Sequence, residues 1–299
     1  MLQQVNDYRI LDVVGEGAYG KVYKVTDSAH NIYAMKSLRL NYQDKKNIEY
    51  AQREIEMLKK LKHPNIVDLI DFIEQDSHVF IRMGYMDTDL KQFLGKNSQR
   101  LSMRLLKSVS RQILSGLKCI HDNRILHRDI KSSNILLDQT GSVRIADFSL
   151  SRFLSSDDRG LYTQGVVSLA YRPPELLLGQ NKYTTSLDVW SLGVLLVELC
   201  TGSPPFKGDS ELSQLFEIFK ILGKPPTQYL KSYCGNFPDL TVPSHSGQLT
   251  EFLLFNNNVE LEDESPDFGL FVDLVGKCLE FDPSKRVTVD KALEHEFLK

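Results

Sequence analysis

Cysteine is scarce and scattered: Cys119, Cys200, Cys234 and Cys278 form no CxxC pair, which argues against both a zinc site and a disulfide framework. A reducing, intracellular setting, cytoplasm or nucleus, is the expectation. Long apolar runs are also missing. The stretch 189–197 ends at Glu198, far short of the ~18 residues a bilayer-spanning helix needs. The opening MLQQVNDYRI reaches Asp7 before any apolar run develops, so no secretory leader is expected. Neither sign of charge dominates: 36 Lys+Arg stand against 39 Asp+Glu, a net charge of -3. That balance supplies no global basic field for nucleic acid or an anionic membrane. Repeats and low-complexity tails are absent too. What is present is ordinary globular material, 299 residues of which 41% are hydrophobic and 25% charged, enough for one large or two modest domains.

The chain changes character along its length. Runs at 8–15, 21–25, 32–38, 66–72 and 78–83 are short and rich in β-branched and aromatic residues, which predicts strands. Between the third and fourth, Ile48, Ala51, Ile55, Leu58 and Leu61 recur at helical spacing among charges, predicting one helix across a small sheet. Beyond Gly84 the pattern predicts helices at 101–122, 186–201, 210–222, 266–280 and 289–298. A boundary near 84–88 between a β-rich part (about 1–84) and a mainly helical part (89–299) follows, with almost no linker, and such an interface favours a ligand cleft. Residues 223–265 lack periodicity and hold Pro225, Pro226, Pro238 and Pro243; they are expected as a long irregular surface segment.

GEGAYGKV at 15–22 puts Gly15, Gly17 and Gly20 between two predicted strands, a context unlike a Rossmann turn. Taken alone, the motif fits a hairpin turn as well as a phosphate-binding loop. Lys36, at the end of YAMK, could pair with phosphates, and Glu54, bordering the apolar face of its helix, could hold that lysine. The most specific segment is HRDIKSSN at 127–134, followed by IADFS at 145–149. His127, Arg128, Asp129, Asn134, Asp147 and Phe148 fit the pattern that phosphoryl transfer requires: an aspartate to take or orient a hydroxyl, and hard oxygen ligands for Mg²⁺. Six fixed positions in order arise by chance once in roughly 10⁷–10⁸ windows.

On these residues the chain resembles a eukaryotic protein kinase from Asp7 to its C-terminus. Lys131, two residues after Asp129, resembles the serine/threonine group, and YRPPELLLG (171–179), DVWSLG (188–193) and GDSELSQLFEIFKILG (208–223) are similar to cyclin-dependent kinases. The resemblance implies an α+β, bilobal fold with ATP and Mg²⁺ as cofactors and protein substrates. It implies Lys36, Glu54, Asp129 and Lys131 as catalytic, and Asn134 and Asp147 as metal ligands. Val14, Gly15, Gly17, Gly20, Val22, Ala34, Lys36, Met83, Gly84, Met86, Asp89 and Leu136 would form the nucleotide bed, with Met83 as gatekeeper and the backbone of Gly84 and Met86 facing adenine. Glu175 and Arg286 would form a buried structural ion pair, and Val167 and Arg172 would give a proline-directed substrate site.

The resemblance implies regulation as well. Thr163 matches an activating threonine, modified by an upstream kinase, and Arg53, Arg128 and Arg152 match the cluster that receives its phosphate; Tyr19 matches an inhibitory site whose neighbouring threonine is replaced by Ala18. A cyclin or cyclin-like activator would pack on the helix carrying Glu54, where an Ile48–Tyr50 edge is expected to leave apolar surface; the alternative is that Tyr50 folds onto the chain and the protein works alone. The helix keeps only part of the cyclin-contacting signature, and Gly165 and Ala170 depart from the pattern near Thr163. Ser149 replaces the glycine after Phe148, where a Cβ is expected to restrict positive φ and alter switching. A scaffold without catalysis is the rival reading, disfavoured because Lys36, Glu54, Asp129, Asn134 and Asp147 are all present. A mitogen-activated-type kinase is disfavoured because LYTQG lacks a threonine-x-tyrosine pair.

Overall fold

The computed structural model describes residues 4–17, 20–40, 45–97, 100–154, 167–181, 184–226, 228–229, 247–257 and 266–299. Ala18, Tyr19, Thr163, Gly165 and Cys234 therefore lie outside the described residues.

The N-terminal region is an antiparallel sheet of six strands in the order β1-β2-β3-β4-β6-β5. They are Gln4–Val5, Tyr8–Gly17, Gly20–Thr26, Ile32–Arg39, Leu69–Gln75 and Leu69's partner strand His78–Gly84, numbered β1 to β6. One helix, α1 (Lys45–Lys60), follows β4. Its Ala51, Ile55 and Leu58 are buried at the expected spacing. The β2–β3 hairpin turns between Gly17 and Gly20. Gly20 has φ +142°, and a Cβ there would lie 2.0 Å from the Ser37 carbonyl oxygen on β4. Only glycine fits that crossing.

The fourth strand differs from the expectation at 66–72. It runs from Leu69 to Gln75, because Ile66 and Val67 pair with Ile145 instead. Lys36 likewise lies inside β4 rather than at its end.

Beyond the sheet the chain is mostly helical. Helix α3 (Met103–Asp122) starts at Ser102, whose hydroxyl accepts from the Leu105 N–H. Helix α5 (Ser186–Thr201) is buried from Leu187 to Thr201, as befits a central helix that is apolar on most sides. Gly193 lets it approach the end of α8 (Pro266–Cys278), since a Cβ there would meet the Cys278 Cβ at 2.8 Å. Helix α6 (Glu211–Leu222) is capped by Ser210 and Ser213 reciprocally.

Three expectations are corrected here. The irregular stretch 223–265 contains a helix, α7 (Leu249–Asn257). The expected helix 289–298 is two short pieces, α9 (Val289–Leu293) and a 3₁₀ turn Glu296–Leu298, separated at His295, whose ring accepts from the Phe297 N–H. The helical region also carries short strands that no periodicity announced, at Thr88–Asp89 (β7), Ile125–Leu126 (β8), Ile135–Leu137 (β9), Val143–Ile145 (β10) and Arg152–Phe153 (β11). The helical region also holds helices Leu90–Asn97 (α2) and Pro174–Leu177 (α4) and 3₁₀ turns Ser132–Asn134 and Leu169–Tyr171. No helix among the described residues is long and apolar enough to cross a membrane.

Candidate active site

Pairing register collects one face of the sheet. Gly15 lies opposite Val22, Val22 opposite Lys36, and Ala34 opposite Met83, while Ala34 and Lys36 are two apart on β4. Cross-strand partners and i, i+2 neighbours share a face, so Gly15, Val22, Ala34, Lys36 and Met83 all point the same way. Val14 is exposed and Met86 buried. From the other side, β7 pairs with β9 so that Asp89 lies opposite Leu136, two residues after Asn134. Gly84 closes β6, opposite Tyr33.

Lys36 reaches across to α1. Its Nζ donates to Glu54 Oε1 at 2.7 Å and Oε2 at 2.9 Å, and to Asp147 Oδ1 at 2.8 Å. Burial opposes the Lys36 charge, yet the two carboxylates outweigh it and raise the ammonium above its ordinary range. Burial also acts on both carboxylates. Glu54, 2% exposed, is left above its usual value despite Lys36. For Asp147 the opposite holds: Lys36 and then the Ser149 hydroxyl overcome burial and keep it ionised well below the usual range. One ammonium shared by two carboxylates thus leaves Asp147, the more open of the two, firmly anionic.

Asp129 sits in a hub. Its Oδ2 accepts from Lys131 Nζ at 2.6 Å and Asn134 Nδ2 at 2.9 Å, and its Oδ1 from Ser168 Oγ at 3.1 Å. Lys131 Nζ also donates to Ser168 Oγ at 3.1 Å. The loop itself is anchored from below. Asp188, at the start of α5, accepts the N–H groups of His127 (2.9 Å) and Arg128 (2.8 Å). Burial resists ionisation of Asp188, but the hydrogen bond from His121 keeps it low. His127 is buried and its pKa lowered by that burial. Its Nδ1 accepts the Asp129 N–H, so the network assigns the ring proton to Nε2, facing the Ala146 carbonyl at 3.1 Å.

Ser168 and Asp188 were not singled out as functional from the sequence. Asp188 did leave a signal, a carboxylate leading a helix that is otherwise apolar; Ser168 left none.

Asn134 spends its amide nitrogen on Asp129, and Asp147 spends Oδ1 on Lys36 and Ser149. The Asn134 amide oxygen and the second Asp147 oxygen are hard donors of the type Mg²⁺ takes. Among the described residues no group of three His, Cys, Asp or Glu could cage a metal.

Two expectations change. The left-handed residue is Asp147 (φ 65°), with Ser149 absent from the positive-φ positions, so its Cβ costs nothing in this conformation. Of the two courses stated for Tyr50, the outward edge gives way to the fold onto the chain: its half-buried ring lies near the guanidinium groups of Arg53 (5.5 Å) and Arg152 (5.9 Å). Arg128, by contrast, is 1% exposed and donates through Nε to the Leu150 carbonyl at 2.7 Å.

A family model described as the protein kinase domain matches residues 8–298. The chain belongs to the protein kinase family, whose members transfer phosphate from ATP with the help of Mg²⁺, and the Lys36–Glu54 pair is consistent with that family's lysine–glutamate pair.

Proposed function

We propose that this kinase transfers the γ-phosphoryl group of MgATP to serine or threonine hydroxyls of protein substrates, favours proline directly after the acceptor, and belongs to the cyclin-dependent-kinase-like branch. The observation that carries the reading is Val167. A β-branched residue at φ 72° is rare, and here the twist turns its carbonyl onto Arg172, which donates through Nε at 3.3 Å and Nη2 at 2.9 Å. A substrate N–H following the acceptor would find that carbonyl already taken, whereas proline has no N–H to satisfy.

The reading gives each residue of the site a role. Residues 84–88 would be the hinge between lobes 1–84 and 89–299. Adenine would lie between Val14, Val22 and Ala34 above and Leu136 below, against Met83, with the backbone of Gly84 and Met86 and the side chain of Asp89 at the cleft edge. Gly15, Gly17 and Gly20 would cover the phosphates. Lys36, held by Glu54, would position them, and Asn134 and Asp147 would hold Mg²⁺, which when bound neutralises phosphate charge. Asp129 would take the hydroxyl proton as the substrate oxygen attacks the γ-phosphorus. The bond to the bridging oxygen then breaks and ADP leaves. Lys131 would balance charge on the transferred group.

A serine/threonine peptide library varied at the following position tests this reading. An unpaired N–H costs ~1–3 kcal/mol, so proline should exceed alanine by about tenfold or more; equal rates would remove the proline-directed assignment.

Activation by an upstream kinase at Thr163 completes the reading. Arg53 Nη1 is buried and has no hydrogen-bond partner among the described residues, a donor suited to an anion. Phosphate adds ~1.5–2 negative charges and three acceptor oxygens. Thr163→Ala, compared with the fully phosphorylated parent, should lower phosphotransfer by about tenfold or more with little change in ATP affinity. Equal rates would reassign the arginines. Because the Lys36–Glu54 pair is already made in the free chain, a cyclin or cyclin-like activator would hold an existing arrangement rather than build one. Tyr19, outside the described residues, retains its proposed inhibitory role.

A further inference from the structure

Ser149 is 4% exposed and occupies a position that the kinase pattern gives to glycine. Its hydroxyl donates to Asp147 Oδ1 at 2.7 Å, and its own N–H points at the same oxygen at 3.4 Å. Two donors from residue i+2 converging on an aspartate oxygen close an Asx-type turn. The turn encloses Phe148, which is fully buried with its ring edge-on to His127 at 5.0 Å between centroids.

The turn also settles how Asp147 distributes its oxygens. Oδ1 receives Lys36 at 2.8 Å as well as Ser149, and among the described residues no hydrogen-bond donor engages Oδ2. In a chain with glycine at 149 Lys36 would remain but residue 149 would offer only its weak backbone donor, and the carboxylate would rotate more freely about its χ angles. Asp147 itself is left-handed at φ 65°, a conformation that aspartate tolerates when its side chain bonds locally.

We propose that Ser149 is a positioning residue, whose hydroxyl fixes the Asp147 carboxylate with one oxygen turned to Lys36 and the other presented to a divalent cation. This rests on the reading of Asp147 as a Mg²⁺ ligand. The serine exchanges the backbone freedom of glycine for a fixed carboxylate. The metal-binding half of the site is therefore organised before nucleotide arrives.

Two measurements on the full chain test it, with Ser149→Ala removing only the hydroxyl and Ser149→Gly removing the Cβ as well. The first follows binding of a fluorescent ATP analogue as Mg²⁺ is titrated. Both variants should need about five- to tenfold more Mg²⁺ for half-maximal effect, while affinity for the metal-free nucleotide and the thermal midpoint stay at the parent's values. The second is amide hydrogen exchange over 146–150 in metal-free protein, which should quicken about fivefold or more in both. An Ala variant with the parent's Mg²⁺ dependence and exchange would overturn the proposal, as would a shift seen in Gly alone, since that would trace to the backbone. If the parent's nucleotide binding ignores Mg²⁺, the metal-ligand reading of Asp147 fails and the presentation of Oδ2 fails with it; the exchange arm then shows separately whether the hydroxyl holds the turn.

Discussion

Asp129→Asn should lower phosphotransfer by about three orders of magnitude while changing ATP affinity less than twofold. The size follows from general-base assistance, which contributes ~10²–10⁴. The selectivity follows from the hub. Asp129 is an acceptor for three donors, Lys131, Asn134 and Ser168, and asparagine of the same shape turns one acceptor oxygen into an NH₂ that can take no proton. The face of the sheet proposed to hold nucleotide, with Val22, Ala34, Lys36 and Met83, does not depend on Asp129, so its grip should survive. Steady-state rates on a serine peptide, paired with nucleotide titration, separate the two effects. A variant retaining a tenth of the parent rate would show that the hydroxyl proton leaves by another route.

What could be read in advance was what pattern carries. Runs rich in β-branched and aromatic residues place the main strands, and the motifs at 127–134 and 145–149 single out Asp129, Asn134 and Asp147. The misses share a cause. Strands of two or three residues, such as Thr88–Asp89 and Ile135–Leu137, are too short to show a period of two, and they exist because tertiary pairing holds them. The helix Leu249–Asn257 sits in a segment where prolines nearby masked its own apolar spacing. Ser168 acts only through where the chain brings it, 37 residues beyond Lys131. Apolarity alone leaves Tyr50 either as an outward edge or folded onto the chain; the choice depends on Arg53 and Arg152, which come to its ring from different elements. For Ser149 the residue type was visible, but which residue would be left-handed depends on the Asx turn that Asp147 makes.

The largest loss of stability should come from Arg286→Ala. Its guanidinium is bidentate to Glu175, at 2.9 and 3.0 Å, and their side chains are 0% and 2% exposed. Arg286 also donates to the carbonyls of Glu280 (2.9 Å), Ser186 (2.9 Å) and Phe281 (3.3 Å), and stacks on Trp190 at 5.0 Å. Removing one partner of such a buried pair costs ~3–5 kcal/mol, because the other charge stays buried and unpaired. The two partners are not equivalent. Without Glu175, Arg286 keeps three backbone acceptors; without Arg286, the Glu175 carboxylate and those three carbonyls all lose their donor. Arg286→Ala should therefore fall at the upper end of that range and Glu175→Gln toward the lower, by urea unfolding with an unchanged slope. The pair also ties α4, which follows directly on Val167 and Arg172, to the start of α5 through Ser186. Replacing both residues together with apolar ones, Glu175→Leu with Arg286→Met, should recover much of the stability. Proline preference in that double variant then reports whether the ion pair positions the proposed substrate segment or only supports it. Arg286→Ala costing less than ~1 kcal/mol would show that the surrounding carbonyls and Glu175 find water or new donors, and that the pair does not hold this region together.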